Sequence, residues 1–201
     1  MALEQTVMEF EYPAGATPLD ADELAEIRLP HITSRNDLDE WEQRNILEAE
    51  TWCFGRKHKT LLSEGFALEL HRRMFDQIWK WAGRPRTSDK NLGVASWEIA
   101  VRIRNLFQDA VTWVENHSYP EDELAARFHH RLVSIHPFVN GNGRHARIMA
   151  DLLLVQRLDK NRFTWGSGRL GNEGQCRSRY LEALKAADAR DYRKLLEFVR
   201  S

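Results

Sequence analysis

Residues His136 to Arg147, reading HPFVNGNGRHAR, constrain this chain more than any other stretch, because a glycine-rich turn there runs straight into an apolar helix. Gly141-Asn142-Gly143 can take backbone conformations closed to side chains with a Cβ, so consecutive N–H groups can converge on one anion. Apolar residues follow at Ile148, Met149, Leu152, Leu153, Val155 and Leu158, a pattern that suits a helix covered on most sides. Such a helix begins with unpaired N–H groups and the positive end of its macrodipole, where phosphate is stabilised. Arg144 and Arg147 project from neighbouring positions on one face of it and can grip two phosphates, or one in a fork. Cations at a helix start are otherwise unfavourable, so their placement implies a compensating anion. His136 precedes Pro137, which biases it towards an extended backbone. Its imidazole, with an ordinary pKa of about 6.5, can accept a proton from a hydroxyl near neutral pH, and beside a phosphate cradle that points to group transfer. A GNG turn, a lone histidine and an arginine pair are each common; the anion site is inferred from their combination.

The 201 residues suit one domain with a short N-terminal extension, and 42% hydrophobic content supports a core. A net charge of −1 gives no general pull towards nucleic acid or anionic membrane. Met1 to Asp20 lacks a basic start and a continuous apolar run, and no segment approaches a membrane span, so a cytoplasmic chain is expected. Cys53 and Cys176 are too few and too far apart to read as a disulfide framework.

Residues 1–36 hold Pro13, Gly15, Pro18 and Pro30 and read as an arm with a short helical piece, strapped over a helical domain spanning 37–201. Asp37 with Glu40 fits a capping box, which starts a helix running to about Phe54. Ser63 caps a second, with Phe66, Leu70, Met74 and Ile78 on one side, ending near Trp81. The turn-rich TSDKNLG after Arg86 has no helical pattern and suits a short hairpin or a surface loop. A third helix is expected over Trp97 to Asn116. A fourth starts at Pro120 with Glu121, Asp122 and Glu123 in its first turn and delivers His136 at its end. Asp159 to Gly174 reads as a loop, with Trp165 covering either nucleotide or core. Helices over Gln175 to Arg190 and Tyr192 to Val199 close the chain. His129, His130, His136 and His145 do not make a zinc motif: there is no HExxH, and no acidic residue lies between His129 and His145. His129 and His130 read as a partly buried helix face.

The string at 136–147 resembles the Fic family signature, HPFx(D/E)GN(G/K)RxxR, at every specified position but one. The resemblance, strongest there and extending from about residue 37 to the end, implies a mainly α fold: a compact Fic-type helical bundle with a small β-hairpin flap. It implies an enzyme that moves AMP from ATP to a hydroxyl side chain of a target protein. By position, His136 corresponds to the general base and Phe138 to a core anchor. Gly141, Asn142, Gly143 and Arg144 correspond to the phosphate-holding residues, and Arg147 to the group on the terminal phosphate. ATP and magnesium are the implied substrate and cofactor. The departure is Asn140, where members of the family usually carry Asp or Glu to bind the metal; its amide offers a hard cation only a neutral oxygen.

The WAGRPR string at Trp81 to Arg86 is also similar to the segment leading into the Fic flap, so residues 86–94 become the expected dock for an extended target segment. Some Fic proteins carry an inhibitory helix with a motif near (S/T)xxxE(G/N). Here Glu42, within EWEQRN on the 37–54 helix, is the candidate, although Leu38 and Gln43 depart from that motif. In this role Glu42 pairs with Arg147 and blocks the terminal-phosphate position; a solvated helix face is the other reading of Glu42. Two functions compete with AMP transfer: a regulatory nucleotide-binding module or toxin–antitoxin component in which Asn140 has removed catalysis, and transfer of a different phosphate-containing group. A homodimer stays open.

Overall fold

Capping chemistry decides where the helices begin. In the computed structural model, which describes residues 17–29, 32, 34–167 and 174–201, α1 (Ala21–Leu24) starts at Asp20, whose carboxylate accepts from Glu23 N–H while Glu23 reaches back to Asp20 N–H. The second helix, α2 (Arg35–Phe54), starts one turn earlier than the Asp37–Glu40 pairing suggests. Ser34 is its cap, accepting from Asp37 N–H and donating its own hydroxyl to the Asp37 carboxylate. A serine outside the helix leaves Asp37 free for the third helical position, near the positive helix end. Ser63 caps α3 (Glu64–Phe75) as expected, but the helix stops at Phe75 and turns carry the chain past Trp81.

The remaining helices are α4 (Ile99–Glu115), α5 (Glu121–Ile135) with Pro120 at its cap, α6 (Asn142–Arg157), α7 (Gln175–Asp188) and α8 (Arg193–Val199). The pair α5 and α6, joined by the 136–141 loop, forms the spine. One core gathers Leu70, Met74, Ile103, Leu106, Phe128, Leu132, Met149 and Leu152 from α3 to α6. A second lies beyond α6, where Ala150 and Leu154 meet Tyr180, Leu195 and Phe198. No helix among the described residues is long and apolar enough to cross a membrane.

The N-terminal strap is part of this body. Leu19 and Ile32 are buried in the first core, Ile27 bridges Trp79, and Arg28 N–H and Lys80 N–H reach across to Ile78 and Glu26 carbonyls. The boundary expected at residue 36 therefore falls within the first turn of α2. Pro13, Gly15 and Pro30 of the expected arm, and residues 168–173 of the glycine-rich loop, lie outside the described residues. Trp165 is a core residue: its indole N–H donates to Asp151 at 3.0 Å and its ring lies 4.6 Å from that of His129.

Residues 86–94 do not form the expected hairpin, since no strand pairing occurs within them. The reason is Arg86, whose side chain replaces the cross-strand ladder. Its Nε donates to His136 O at 2.8 Å, Nη1 to Ser88 O at 2.7 Å, and Nη2 to Val94 O. One guanidinium thus satisfies carbonyls at both ends of the loop and ties them to the 136–141 turn. The backbone adds Arg86 N–H to Pro137 O and Val94 N–H to Ile135 O. Gly93, at φ +99°, permits the close approach: a Cβ there would stand 2.5 Å from the Cβ of His136.

Candidate functional site

The loop His136–Asn140 and the start of α6 form one hydrogen-bonded unit. Asn142 locks it, its Oδ1 accepting from Phe138 N–H at 2.9 Å and its Nδ2 donating to Phe138 O at 2.8 Å. Asn142 therefore offers phosphate only its backbone N–H, because its amide is spent within the loop. Gly141 turns the chain into α6 at φ +77°, and a Cβ there would collide with the Phe75 ring at 2.5 Å. Any other residue would be strained and would push α3 away. The first internal bond of α6 runs from His145 N–H to Gly141 O. Asn142, Gly143 and Arg144 N–H are thereby left without intrahelical acceptors at the positive helix end. Phe138 is fully buried, as expected of an anchor, with its ring stacked 3.6 Å from His71.

His71 supports the turn from behind. It donates from Nε2 to Asn140 O at 3.0 Å and accepts Gly83 N–H on Nδ1 at 3.0 Å. A carbonyl takes only a donor and an N–H only an acceptor, so these partners assign the neutral Nε2–H tautomer. Full burial holds the ring well below the ordinary imidazole pKa.

His136 closes α5 in a left-handed conformation, φ 54° and ψ 60°, not the extended one that Pro137 favours. Tertiary bonds override the local bias: its N–H completes the last turn to Leu132 O, and its carbonyl is held by Arg86. Burial, with Arg86 and Lys90 nearby, lowers its pKa to about 4, so the ring is neutral at physiological pH. The backbone of Val133 acts in the opposite sense and favours the protonated ring, without outweighing burial. In the Nδ1–H tautomer Nε2 keeps its lone pair for a proton. That lone pair is already engaged. Thr17 Oγ1 lies 2.9 Å from Nε2 and is the donor in that tautomer, and Thr17 is itself 6% exposed.

The two arginines have different surroundings. Arg144 Nη1 lies 2.6 Å from Glu42 Oε2, while Glu42 Oε1 accepts from Trp79 Nε1 at 2.8 Å. Glu42 is 5% exposed, which removes the solvated-face reading, and its partner is the first arginine of the string, not Arg147. The indole decides this. By holding one carboxylate oxygen, Trp79 aims the other at Arg144. Arg147 instead sits beside Tyr180, its guanidinium carbon 5.9 Å from the ring centroid, and burial pulls its pKa below the ordinary value. The Tyr180 hydroxyl meets His129 Nε2 at 2.9 Å. His129 and His130 are more buried than expected, at 0% and 7% exposure, and His130 is hydrogen-bonded to Asp188 at 2.8 Å.

Asn140 does not fit the metal-binding role. Its Oδ1 accepts from Gly141 N–H at 2.6 Å, and its Nδ2 donates to Thr17 O at 3.3 Å. The oxygen that would face a cation is turned into the loop, and no group of three or more His, Cys, Asp or Glu among the described residues is arranged for a metal. Asn140→Asp is expected to introduce a magnesium-dependent rise in thermal stability in the presence of ATP, because a carboxylate can hold Gly141 N–H and a hard cation together. Melting curves with and without magnesium measure this, and identical curves would mean that the loop has no room for the ion.

Sequence reasoning overlooked Thr17, Arg86 and Lys90. Arg86 left a weak signal, an arginine between a proline and a turn-rich stretch. Thr17 left none, since 119 residues separate it from His136.

The fold is a helical bundle whose central helix pair carries a buried histidine and the open start of a helix. Residues 61–154 match the model of the Fic/DOC family. It is 29% identical over 138 residues to the protein adenylyltransferase fic-1 of Caenorhabditis elegans, covering 66% of this chain and 25% of that protein. It is 30% identical over 137 residues to the protein adenylyltransferase Fic of Drosophila willistoni, covering 66% and 26%. The chain thus spans about a quarter of the length of these curated relatives. The fold is similar to that of BepC, a VirB-translocated effector of Bartonella tribocorum solved with bound AMPPNP. There the TM-score is 0.63 at 15% identity, over 84% of this chain and 87% of that one.

Proposed function

We propose that this domain transfers AMP from ATP to a hydroxyl side chain of a target protein. The observation that carries the proposal is that His136 Nε2 holds a hydroxyl at 2.9 Å, on the loop that ends in the unpaired N–H groups of α6. In this reading His136 takes the proton of the attacking hydroxyl. The N–H groups of Asn142, Gly143 and Arg144 and the guanidinium of Arg144 bind nucleotide phosphates, and Arg147 takes the terminal one. A polyphosphate beside the ring raises the depressed imidazole pKa towards the working range. Residues 86–94 receive an extended target segment along the loop that Arg86 holds open. Curated relatives named as adenylyltransferases, and a fold neighbour with bound AMPPNP, support the choice of nucleotide. No step is assigned to magnesium, because Asn140 turns its oxygen away.

Glu42 then acts as an inhibitor through Arg144, occupying with its own carboxylate the cation that a phosphate needs. Glu42→Gln keeps an acceptor for Trp79 Nε1 and removes the charge, so α2 stays in place while Arg144 is released. Incubated with α-labelled ATP in a cell lysate, the Glu42→Gln chain is expected to label other proteins roughly tenfold faster than the wild type, as release of a part-buried charged pair worth about 1.4 kcal/mol allows. Equal rates would remove the inhibitory role. Absence of label from both chains, with ATP binding retained, would favour the regulatory module, which the engaged oxygen of Asn140 supports.

A further inference from the structure

Exposed apolar side chains gather where the 86–94 loop runs into α4. Of the five large ones exposed among the described residues, three, Leu92, Trp97 and Val101, fall between residues 92 and 101. Trp97 is 79% exposed and Val101 54%, and Asn105 continues their face one turn further along α4. Such a concentration, unlike single scattered residues, marks contact with another molecule. Beside it lies a groove of about 210 Å³ between α4 and α5, with Val94, Arg102, Asn105, Arg131 and Ile135 in its lining and no carboxylate there. Glu98 and Asp109 hold its two arginines from outside: Arg102 Nη2 lies 2.7 Å from Glu98 Oε2, and Arg131 Nη1 lies 2.7 Å from Asp109 Oδ2. Among the described residues Arg102 Nη1 and Arg131 Nη2 meet no hydrogen-bond acceptor, and the Asn105 amide meets no partner. The groove also adjoins the base. Val94 N–H bonds Ile135 O at 3.3 Å, and Ile135 directly precedes His136. A segment leaving the loop at Val94 therefore passes straight into the groove.

We propose that this groove and its apolar rim are a second contact for the target protein, taking an extended stretch that carries a carboxylate side chain beside an aliphatic one. The inference rests on the AMP-transfer reading and adds to it a selection of target sequence. The carboxylate bonds the open edges of Arg102 and Arg131, where an ionised acceptor makes the strongest hydrogen bonds. The Asn105 amide offers the backbone of the segment both donors and an acceptor. The aliphatic side chain covers Val101 and Trp97 and takes their exposed surface out of water. Two guanidinium groups without a lining carboxylate select an acidic partner over a basic one. Continuity with the 86–94 loop puts that acidic stretch in the same segment as the hydroxyl that reacts.

The test measures binding apart from transfer, on the full chain. The probes are fluorescein-labelled peptides with one threonine in an alanine and glycine background, flanked on both sides by Asp-Leu, Asn-Leu or Lys-Leu. By fluorescence anisotropy the Asp-Leu peptide is expected to bind roughly tenfold tighter than the Asn-Leu peptide, and the Lys-Leu peptide most weakly. Added salt should shrink that preference. Arg102→Gln and Arg131→Gln should each bring it towards unity, whereas Trp97→Ser should weaken the Asp-Leu and Asn-Leu peptides alike. Unchanged melting temperatures identify these as lost contacts, and the exposure of Trp97 and Arg102 leaves the core untouched. With α-labelled ATP the same ranking is expected in KM and not in kcat. Equal affinity for all three peptides, with label still transferred, would overturn the inference and leave the transfer reading standing. A preference that survives both arginine substitutions would overturn it too, because the carboxylate would then be read elsewhere. A drop in sedimentation mass with Trp97→Ser would give the patch to a second copy of this chain instead. Selective binding with no label on any peptide or lysate protein would remove the transfer reading and the target role together.

Discussion

His136→Asn is expected to bind nucleotide as the wild type does and to transfer AMP about 10²–10⁴-fold more slowly, the range removed with a general base. Asparagine is the informative replacement because His136 sits at φ 54°, a conformation that asparagine tolerates better than most residues with a Cβ. The backbone bonds to Leu132 and Arg86 therefore survive. The amide can still accept the Thr17 hydroxyl but cannot take its proton, so the substitution separates holding an acceptor from activating it. Single-turnover transfer and ADP titration measure the two quantities. An unchanged transfer rate would transfer the base role elsewhere, and loss of the thermal transition would make His136 a structural residue.

A steep loss of stability between pH 6.5 and 4 is the second large effect expected. His71, His129, His136 and His145 are all buried. Burial holds His129 near pKa 3 and His136 and His145 near 4, and holds His71 well below its ordinary value. In the unfolded chain each protonates at about 6.5. As pH falls below that, the unfolded state binds protons that the folded state refuses, so stability present above pH 6.5 is lost on the way to the folded values. Each histidine contributes about 1.4 kcal/mol per pH unit across that window. Asp151 acts in the opposite sense. Burial raises its pKa to about 6, so the folded chain binds its proton first and gains stability as pH falls. The net is about three protons, or roughly 4 kcal/mol per pH unit, against a total stability of order 5–15 kcal/mol for a domain of this kind. Urea denaturation at half-unit steps from pH 7.5 to 4.5 gives the slope directly. A slope of less than one proton would mean that these rings are hydrated.

The helices were legible because their signals are local. Ser63, Pro120 and the acidic first turn of α5 act within one turn, and the apolar spacing of α3, α4 and α6 reports which face is covered. The start of α2 was misread by about one turn, because Ser34 and Asp37 both carry capping chemistry and only the fold shows which one stands outside the helix. The flap was misread for a different reason. A turn-rich stretch predicts a hairpin when strands supply the partners, whereas here one side chain at the head of the stretch, Arg86, supplies them and ties them to the distant His136 carbonyl.

The sequence by itself determined the site's parts: a histidine ending one helix, a glycine turn, and two arginines beginning the next, within twelve consecutive residues. Their chemistry and order follow from residue type and spacing, which need no knowledge of distant contacts. Only the tertiary structure decided what those parts touch. That Glu42 meets Arg144 and not Arg147 depends on Trp79 holding one carboxylate oxygen. That the imidazole is neutral, with Nε2 turned to a hydroxyl from the strap, depends on burial and on Thr17, Arg86 and Lys90. Charge state and pairing are set by desolvation and by partners tens of residues away, and neither is written in the spacing of neighbours along the chain.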